Sequence, residues 1–145
     1  MPKALDFMRM VQRGEVAPAP IADLIGFTLT EVEPGRAVIA FEAGPRHANP
    51  MGTVHGGVLC DIADAAMGIA YAASLDEGET FTTLELKINF LKPVRTGRLV
   101  ATGRLVKGGQ TVGLTECDVM DDKDRLVARA SSTCMTLRGE QAVGR

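Results

Sequence analysis

Near the N-terminus Ala4, Leu5, Met8 and Val11 recur at helical spacing while Arg9 and Arg13 fall on other faces, and Gly14 follows. That period predicts a short amphipathic helix on the domain surface, ended by the glycine. Ala17-Pro-Ala-Pro-Ile21 reads as a stiff connector. Phe27, Leu29 and the apolar run Ala37 to Phe41 bracket Glu33-Pro-Gly-Arg36, which marks a hairpin. Residues 43 to 53 hold two prolines, two glycines and an asparagine, so they read as a loop of fixed turns. From His55 to about Ser74 alanines and larger apolar residues leave almost no room for charge, the pattern of a helix buried on most of its circumference. Beyond Gly78 the chain is β in character, over about 80–92, 97–107, 111–120 and 126–137. Pro93 to Gly97, Lys107-Gly-Gly-Gln110 and Asp121-Asp-Lys-Asp124 are expected to be short hairpin connections between these strands. A hairpin, a long apolar helix and a four-stranded meander predict an α+β domain: an antiparallel sheet of five to six strands wrapped around one central helix, with a short N-terminal helix.

Composition narrows the class. The chain has 145 residues, 46% of them hydrophobic, which suits a single domain over 1–145; no internal repeat or linker marks a second. Eighteen acidic residues against 16 basic ones leave no positive excess to neutralise a run of phosphates, so nucleic acid is not an expected partner. The first thirteen residues scatter charges through the apolar ones and form no signal-like core, and the most apolar stretch, Val54 to Ser74, carries Asp61 and Asp64 inside it; neither secretion nor membrane insertion is expected. Cys60, Cys117 and Cys134 are odd in number and far apart, which fits a reducing cytoplasmic setting. His47 and His55 lack ligand spacing, so no metal or cofactor is expected, and His47 is expected to face solvent.

The central helix is unusual. At 100° per residue Leu59, Ile62, Ala66, Ile69 and Ala73 form one stripe, expected to face the sheet, while Gly57, Asp61, Asp64 and Gly68 form another on the opposite side. Two carboxylates on an otherwise nearly charge-free helix must face a cavity or a partner unless they are desolvated, and interior glycines cost about 1 kcal/mol each unless another surface comes close. The helix opens with His55-Gly-Gly57 after a polar loop that includes Asn49. Free N–H groups and the positive end of the helix dipole, with no side chain in the way, suit a developing oxyanion.

Asn49-Pro-Met-Gly-Thr-Val-His55-Gly-Gly57, with Asp64 nine residues after the histidine, resembles the signature of the hotdog-fold acyl-CoA thioesterases, in particular the phenylacetate-pathway and 4-hydroxybenzoyl-CoA branch. Thr82-Thr-Leu-Glu-Leu-Lys-Ile-Asn-Phe-Leu-Lys-Pro-Val-Arg-Thr-Gly97 resembles that family's long central strand and the turn after it, and the similarity covers about residues 24–138. The resemblance implies hydrolysis of a small to medium or aryl acyl-CoA to free acid and CoA. It assigns Asp64 as general base or nucleophile, the Gly56 N–H as oxyanion donor, Asn49 as holder of water or carbonyl, His55 as brace of the turn, and Thr83 as the hydroxyl orienting the water. Aspartate stands at 64 where part of the family has glutamate, which leaves a covalent anhydride and an activated water both open. Asp61 has no role in the pattern and is expected to be solvated or ion-paired.

Gly57 with Arg95, Lys107, Gly108 and Gln110 are the candidates for holding coenzyme A, with Arg98, Arg104 and Arg138 as additional charge. Cys60 lies five helical residues from His55, on the other side of the axis, and reads as a core thiol. An acyl-thioester dehydratase or hydratase, or a non-catalytic acyl-CoA binding module, are the alternatives. Gly56 and Asp64 stand about 12 Å apart along one helix, too far to serve one carbon atom. Two antiparallel helices would close that gap, so a homodimer is expected, paired again into a tetramer as a dimer of dimers.

Overall fold

The computed structural model describes residues 3–145. In chain order it comprises α1 (Ala4–Gln12), α2 (Pro20–Ile25), β1 (Phe27–Glu33), β2 (Arg36–Ala43), a 3-10 turn (Pro45–His47), α3 (Gly56–Ala72), β3 (Thr80–Phe90), β4 (Gly97–Gly108), β5 (Val112–Met120), β6 (Leu126–Leu137) and a final 3-10 turn (Gly139–Ala142). All six strands join one antiparallel sheet in the order β1-β2-β4-β5-β6-β3, and α3 crosses it, packing chiefly on β4, β2 and β5.

Three differences from the expected layout bear on the site. The strands after α3 do not form a four-stranded meander. β3 pairs with β6 at the far edge, and only β4, β5 and β6 run as consecutive hairpins. After β3 the chain leaves its edge, with the Leu91 and Lys92 N–H groups donating to Val127 O, and passes the start of α3, where Val54 N–H donates to Val94 O, before entering the sheet as β4. Neighbouring strands in sequence usually pair, and a run of five residues around Pro93 looks like a hairpin; here it is a crossing, which makes β3 an edge strand. The connector before β1 also contains a helix, α2. Pro20 occupies its first turn, where a proline sacrifices no hydrogen bond, and Gly26 closes it in the left-handed region at φ 92°. Finally, α3 buries Leu59, Ile62, Ala66 and Ala73 but leaves Ile69 half-exposed, and it buries Ala63, Met67 and Ala70 as well. The 3.6-residue period rotates the covered face away from Ile69 and onto these neighbours.

The sheet wraps α3 at very short range. A Cβ on Gly103 of β4 would stand 2.3 Å from Ala66 O, so helix backbone rests on strand backbone there. Gly113 of β5 is similarly close to the Tyr71 ring, whose hydroxyl shares a 2.7 Å hydrogen bond with Thr136. Ile39, Phe41, Leu99, Cys117, Val119 and Val127 line the sheet beneath α3, essentially without solvent contact. Each such aliphatic or aromatic side chain contributes about 1.5–3 kcal/mol of transfer free energy. α1 lies apart from this core. It has no buried residue, though Leu5 and Met8 touch the core cluster, and its end is tied to β1 by the Gln12 amide donating to Thr30 O at 2.8 Å.

This crossing makes Gly103→Ala a sharp test of the packing. The added methyl group meets backbone that cannot swing aside, and the variant is expected to lose about 1–3 kcal/mol in chemical denaturation. An unchanged unfolding midpoint would contradict the close crossing.

Candidate active site

The uncovered side of α3 carries the polar residues. Asp64 sits half-buried at mid-helix, and Thr83 Oγ1 of β3 donates to its Oδ1 at 3.1 Å. The register of β3 against β6 shifts between Thr83 and Glu85, so a bulge falls beside this pair. A bulge re-aims the side chains around it. Asp64 and Thr83 belong to the walls of two spaces. One is an open depression of about 340 Å³ between Gly57, Cys60, Asp61 and Asp64 of α3 and Thr83 to Leu86 of β3. The other is a largely apolar cavity of about 960 Å³ beneath α1 and α2. The two meet at the Asp64–Thr83 pair.

The start of α3 is built by its preceding loop. His55 is the N-cap, and its Nδ1 accepts the Gly57 N–H at 2.9 Å; among the described residues nothing accepts the Gly56 N–H. A Cβ at Gly56 would lie 2.9 Å from Phe90 Cζ, so the ring occupies the space a side chain would need. Asn49 works inside its own loop. Its Oδ1 accepts from Met51 N (3.0 Å) and Thr53 N (3.1 Å), and its Nδ2 donates to Thr53 Oγ1 (2.8 Å). That fills the oxygen and leaves one amide proton. Arg95 Nη1 donates to the carbonyls of Met51 and Gly52, clamping the same loop from below. His47 is buried, not solvent-facing. Its Nδ1 accepts the Gly44 N–H, its Nε2 donates to Ile25 O at 2.8 Å, and its ring packs edge-on against Phe41. It thus staples α2 to the loop, and only the fold, through β2 and α2, brings these partners to it.

The remaining candidates divide by position. Lys107, Gly108 and Gln110 are exposed at the β4–β5 turn, next to Gly113 and therefore to Tyr71. Tyr71 is fifteen residues along α3 from Gly56, about 22 Å, so one chain does not bring this turn to the helix N-terminus. Arg104 is engaged by Glu116 and Asp118, Arg138 by Glu79, and Arg98 stands 3.9 Å from Glu42. Cys60 is a half-buried wall of the depression instead of a core thiol; burial first, then the nearby Asp64 charge, push it up and keep it protonated. The other two cysteines are buried. Among the described residues no three His, Cys, Asp or Glu side chains gather as a metal site, and no helix is long and apolar enough to cross a membrane.

Asp61 is half-buried in the wall of the depression and has no ion-pair partner among the described residues. Its Oδ2 is buried without a hydrogen-bond partner, one helical turn before Asp64. The sequence shows the spacing of the two carboxylates; the burial of one oxygen comes from the tertiary packing around α3. Burial, and then the Asp64 charge, raise its carboxyl above the ordinary aspartate range.

Residues 51–128 match the family model described as the thioesterase superfamily. The chain belongs to that superfamily: it is a hotdog-fold hydrolase of thioesters. It is 28% identical over 113 residues to a 1,4-dihydroxy-2-naphthoyl-CoA hydrolase of Listeria monocytogenes, covering 78% of this chain and 92% of the relative. It is 25% identical over 108 residues to human acyl-coenzyme A thioesterase 13, covering 73% and 76%. A solved structure of a phenylacetic acid degradation-related protein from Ralstonia eutropha superposes with TM-score 0.80 at 30% identity, covering 88% of this chain and 97% of that one.

The orphaned Asp61 oxygen has a consequence for stability. A carboxyl raised in the folded state stabilises the fold below the unfolded aspartate pKa, and that contribution is lost as pH rises through the raised value. Asp61→Asn, which keeps the shape without the charge, is expected to gain thermal stability over the parent at pH 7 and to lose that advantage at acid pH. An equal difference at both pH values would contradict the assignment.

Proposed function

We propose that the protein hydrolyses acyl-CoA thioesters at a site shared by two copies of the chain. The observation that carries the reading is the Asp64–Thr83 hydrogen bond at 3.1 Å, in a wall shared by an apolar cavity fit for an acyl group and a solvent-accessible depression. Thr83 occupies Oδ1, so Oδ2 is left to take a proton from water. The water oxygen adds to the thioester carbon, the carbonyl becomes an oxyanion received by a Gly56 N–H, and the intermediate collapses with cleavage of the C–S bond. The thiolate leaves with the proton held by Asp64, giving free acid and CoA thiol. One well-aimed oxyanion donor is worth about 3–4 kcal/mol to such a transition state. His55 and Asn49 hold the loop and the first turn that present this donor.

Within one chain Gly56 and Asp64 are eight residues apart on continuous helix, about 12 Å, so the donor must come from a second α3 lying antiparallel. Three features support this pairing. The buried Asp61 oxygen lacks a partner on the face that would be covered. The eleven-residue β3 is an edge strand and exposes Leu84 and Phe90, with Leu91 just beyond; pairing with its counterpart would make it central to a continuous sheet. Gly57 and Cys60 on the same face are small enough for close approach. In the antiparallel arrangement the β4–β5 turn of one copy comes level with the Asn49 loop of the other. Lys107, Gly108 and Gln110 then join Gly57 and Arg95 as candidates for the nucleotide of CoA. Exposed Val112 and Leu114, which alternate with the helix-facing residues of β5, offer an apolar patch for a dimer of dimers. Three free thiols suit a cytoplasmic setting.

Asp64→Asn is expected to fold and to lower kcat by about two to four orders of magnitude, the range of general-base loss, and Asp61→Asn much less. Wild-type turnover in a folded Asp64→Asn protein would overturn the assignment. The shared site is tested by co-expressing an Asp64→Ala chain with an Asn49→Ala chain. Mixed dimers hold one intact and one doubly damaged site and are expected to recover about half of wild-type activity. No recovery in demonstrably mixed dimers would place the whole site within one chain.

A further inference from the structure

Most of the larger cavity's wall lies outside the segment that carries the superfamily match. Residues 51–128 supply Asp64, Ile69, Phe81 and Thr83, but its roof and far side come from α1, α2 and β1, through Met8, Val11, Ile21 and Leu29. α1 behaves as a roof. It is amphipathic, yet none of its residues is buried, and Phe7 and Met10 remain well exposed. Its apolar side therefore spends little of its surface on the core and much of it on the empty space between α1 and α3. At about 960 Å³ that space lies at the upper end of the range of about 300–1,000 Å³ typical of ligand sites, far more than an acetyl or a single aromatic ring would fill. Ile69, which the helical period would turn toward the sheet, is instead a wall of this cavity.

We propose that the cavity under α1 takes an aliphatic acyl chain of medium to long length, and that α1, with Val11 and Met8 facing the chain, is the wall that sets the preferred length. The inference rests on hydrolysis at Asp64, because that residue and Thr83 stand where the cavity meets the depression, which places the thioester there and the hydrocarbon under the roof. Each methylene that leaves water for such a pocket raises kcat/KM by up to about fourfold until the cavity is full. A short or aryl acyl group leaves the space beneath α1 unfilled and gains none of this.

The experiment is a series of straight-chain CoA thioesters from butyryl to dodecanoyl, with phenylacetyl-CoA beside them, on the wild-type protein and on Val11→Trp, which fills the cavity from α1, and Ile69→Phe, which fills it from α3. The wild type is expected to favour dodecanoyl over butyryl and over phenylacetyl. Each variant is expected to lower the dodecanoyl-to-butyryl ratio of kcat/KM at least tenfold. Val11 is half-exposed, so a larger side chain there is compatible with folding; Ile69→Phe repeats the test from the opposite wall. A parallel calorimetric titration with dodecanoic acid, on the Asp64→Asn protein and on Asp64→Asn with Val11→Trp, reads the cavity without turnover. Binding weakened tenfold or more by Val11→Trp supports the cavity even if the hydrolytic role of Asp64 fails. An unchanged ratio in both folded variants, unchanged dodecanoic acid binding with Val11→Trp, or a preference for phenylacetyl over dodecanoyl would overturn it.

Discussion

A carboxylate can stay at the middle of a helix wrapped by a sheet only where one side of that helix is left uncovered. At Gly103 the sheet approaches α3 to backbone contact, and the small residues of the helix, Ala63, Ala66 and Ala70 among them, permit it. Such close wrapping concentrates the apolar burial on one face and leaves Gly57, Cys60, Asp61 and Asp64 on the other. The charge of Asp64 is tolerated because β3 bends there and Thr83 reaches it, and because two spaces open beside it. The placement of the proposed general base thus follows from the packing that builds the core.

Hydrophobic spacing made α3 and most strand spans legible because both report a local period. β4, β5 and β6 begin and end close to where alternation and turn residues put them. The path of β3 was not legible, since a crossing around Pro93 and a hairpin differ in what the strands meet and not in their own residues. His47 and Asp61 show the same limit. The burial of one depends on Ile25 and Phe41 arriving from elsewhere, and the orphaned oxygen of the other is a product of the tertiary packing around α3. α2 carried a signal, Pro20 at its start and Gly26 at its end, outweighed by the dense prolines before it.

The candidate reacting groups were legible by type and spacing, and the distance of about 12 Å between Gly56 and Asp64 along one helix already pointed to a second chain. Asp64 and Thr83 come together within one chain, whereas Gly56 remains a helix length of eight residues away. That separation, the unpartnered Asp61 oxygen and the bare edge of β3 are three separate features that one antiparallel copy of the chain would complete. The proposed chain-length selection is a separate matter, assigned to α1 and α2 outside the segment matched to the superfamily. On these proposals the chemistry and the specificity sit on different parts of the sequence.

The most direct measurement of the central claim is specific thioesterase activity across a dilution series, with the oligomeric state read at each concentration by fluorescence-detected sedimentation. A site completed by a second chain predicts that activity per chain falls in proportion to the fraction dissociated and returns on reconcentration. Full activity per chain in a population that sediments as monomer would contradict it.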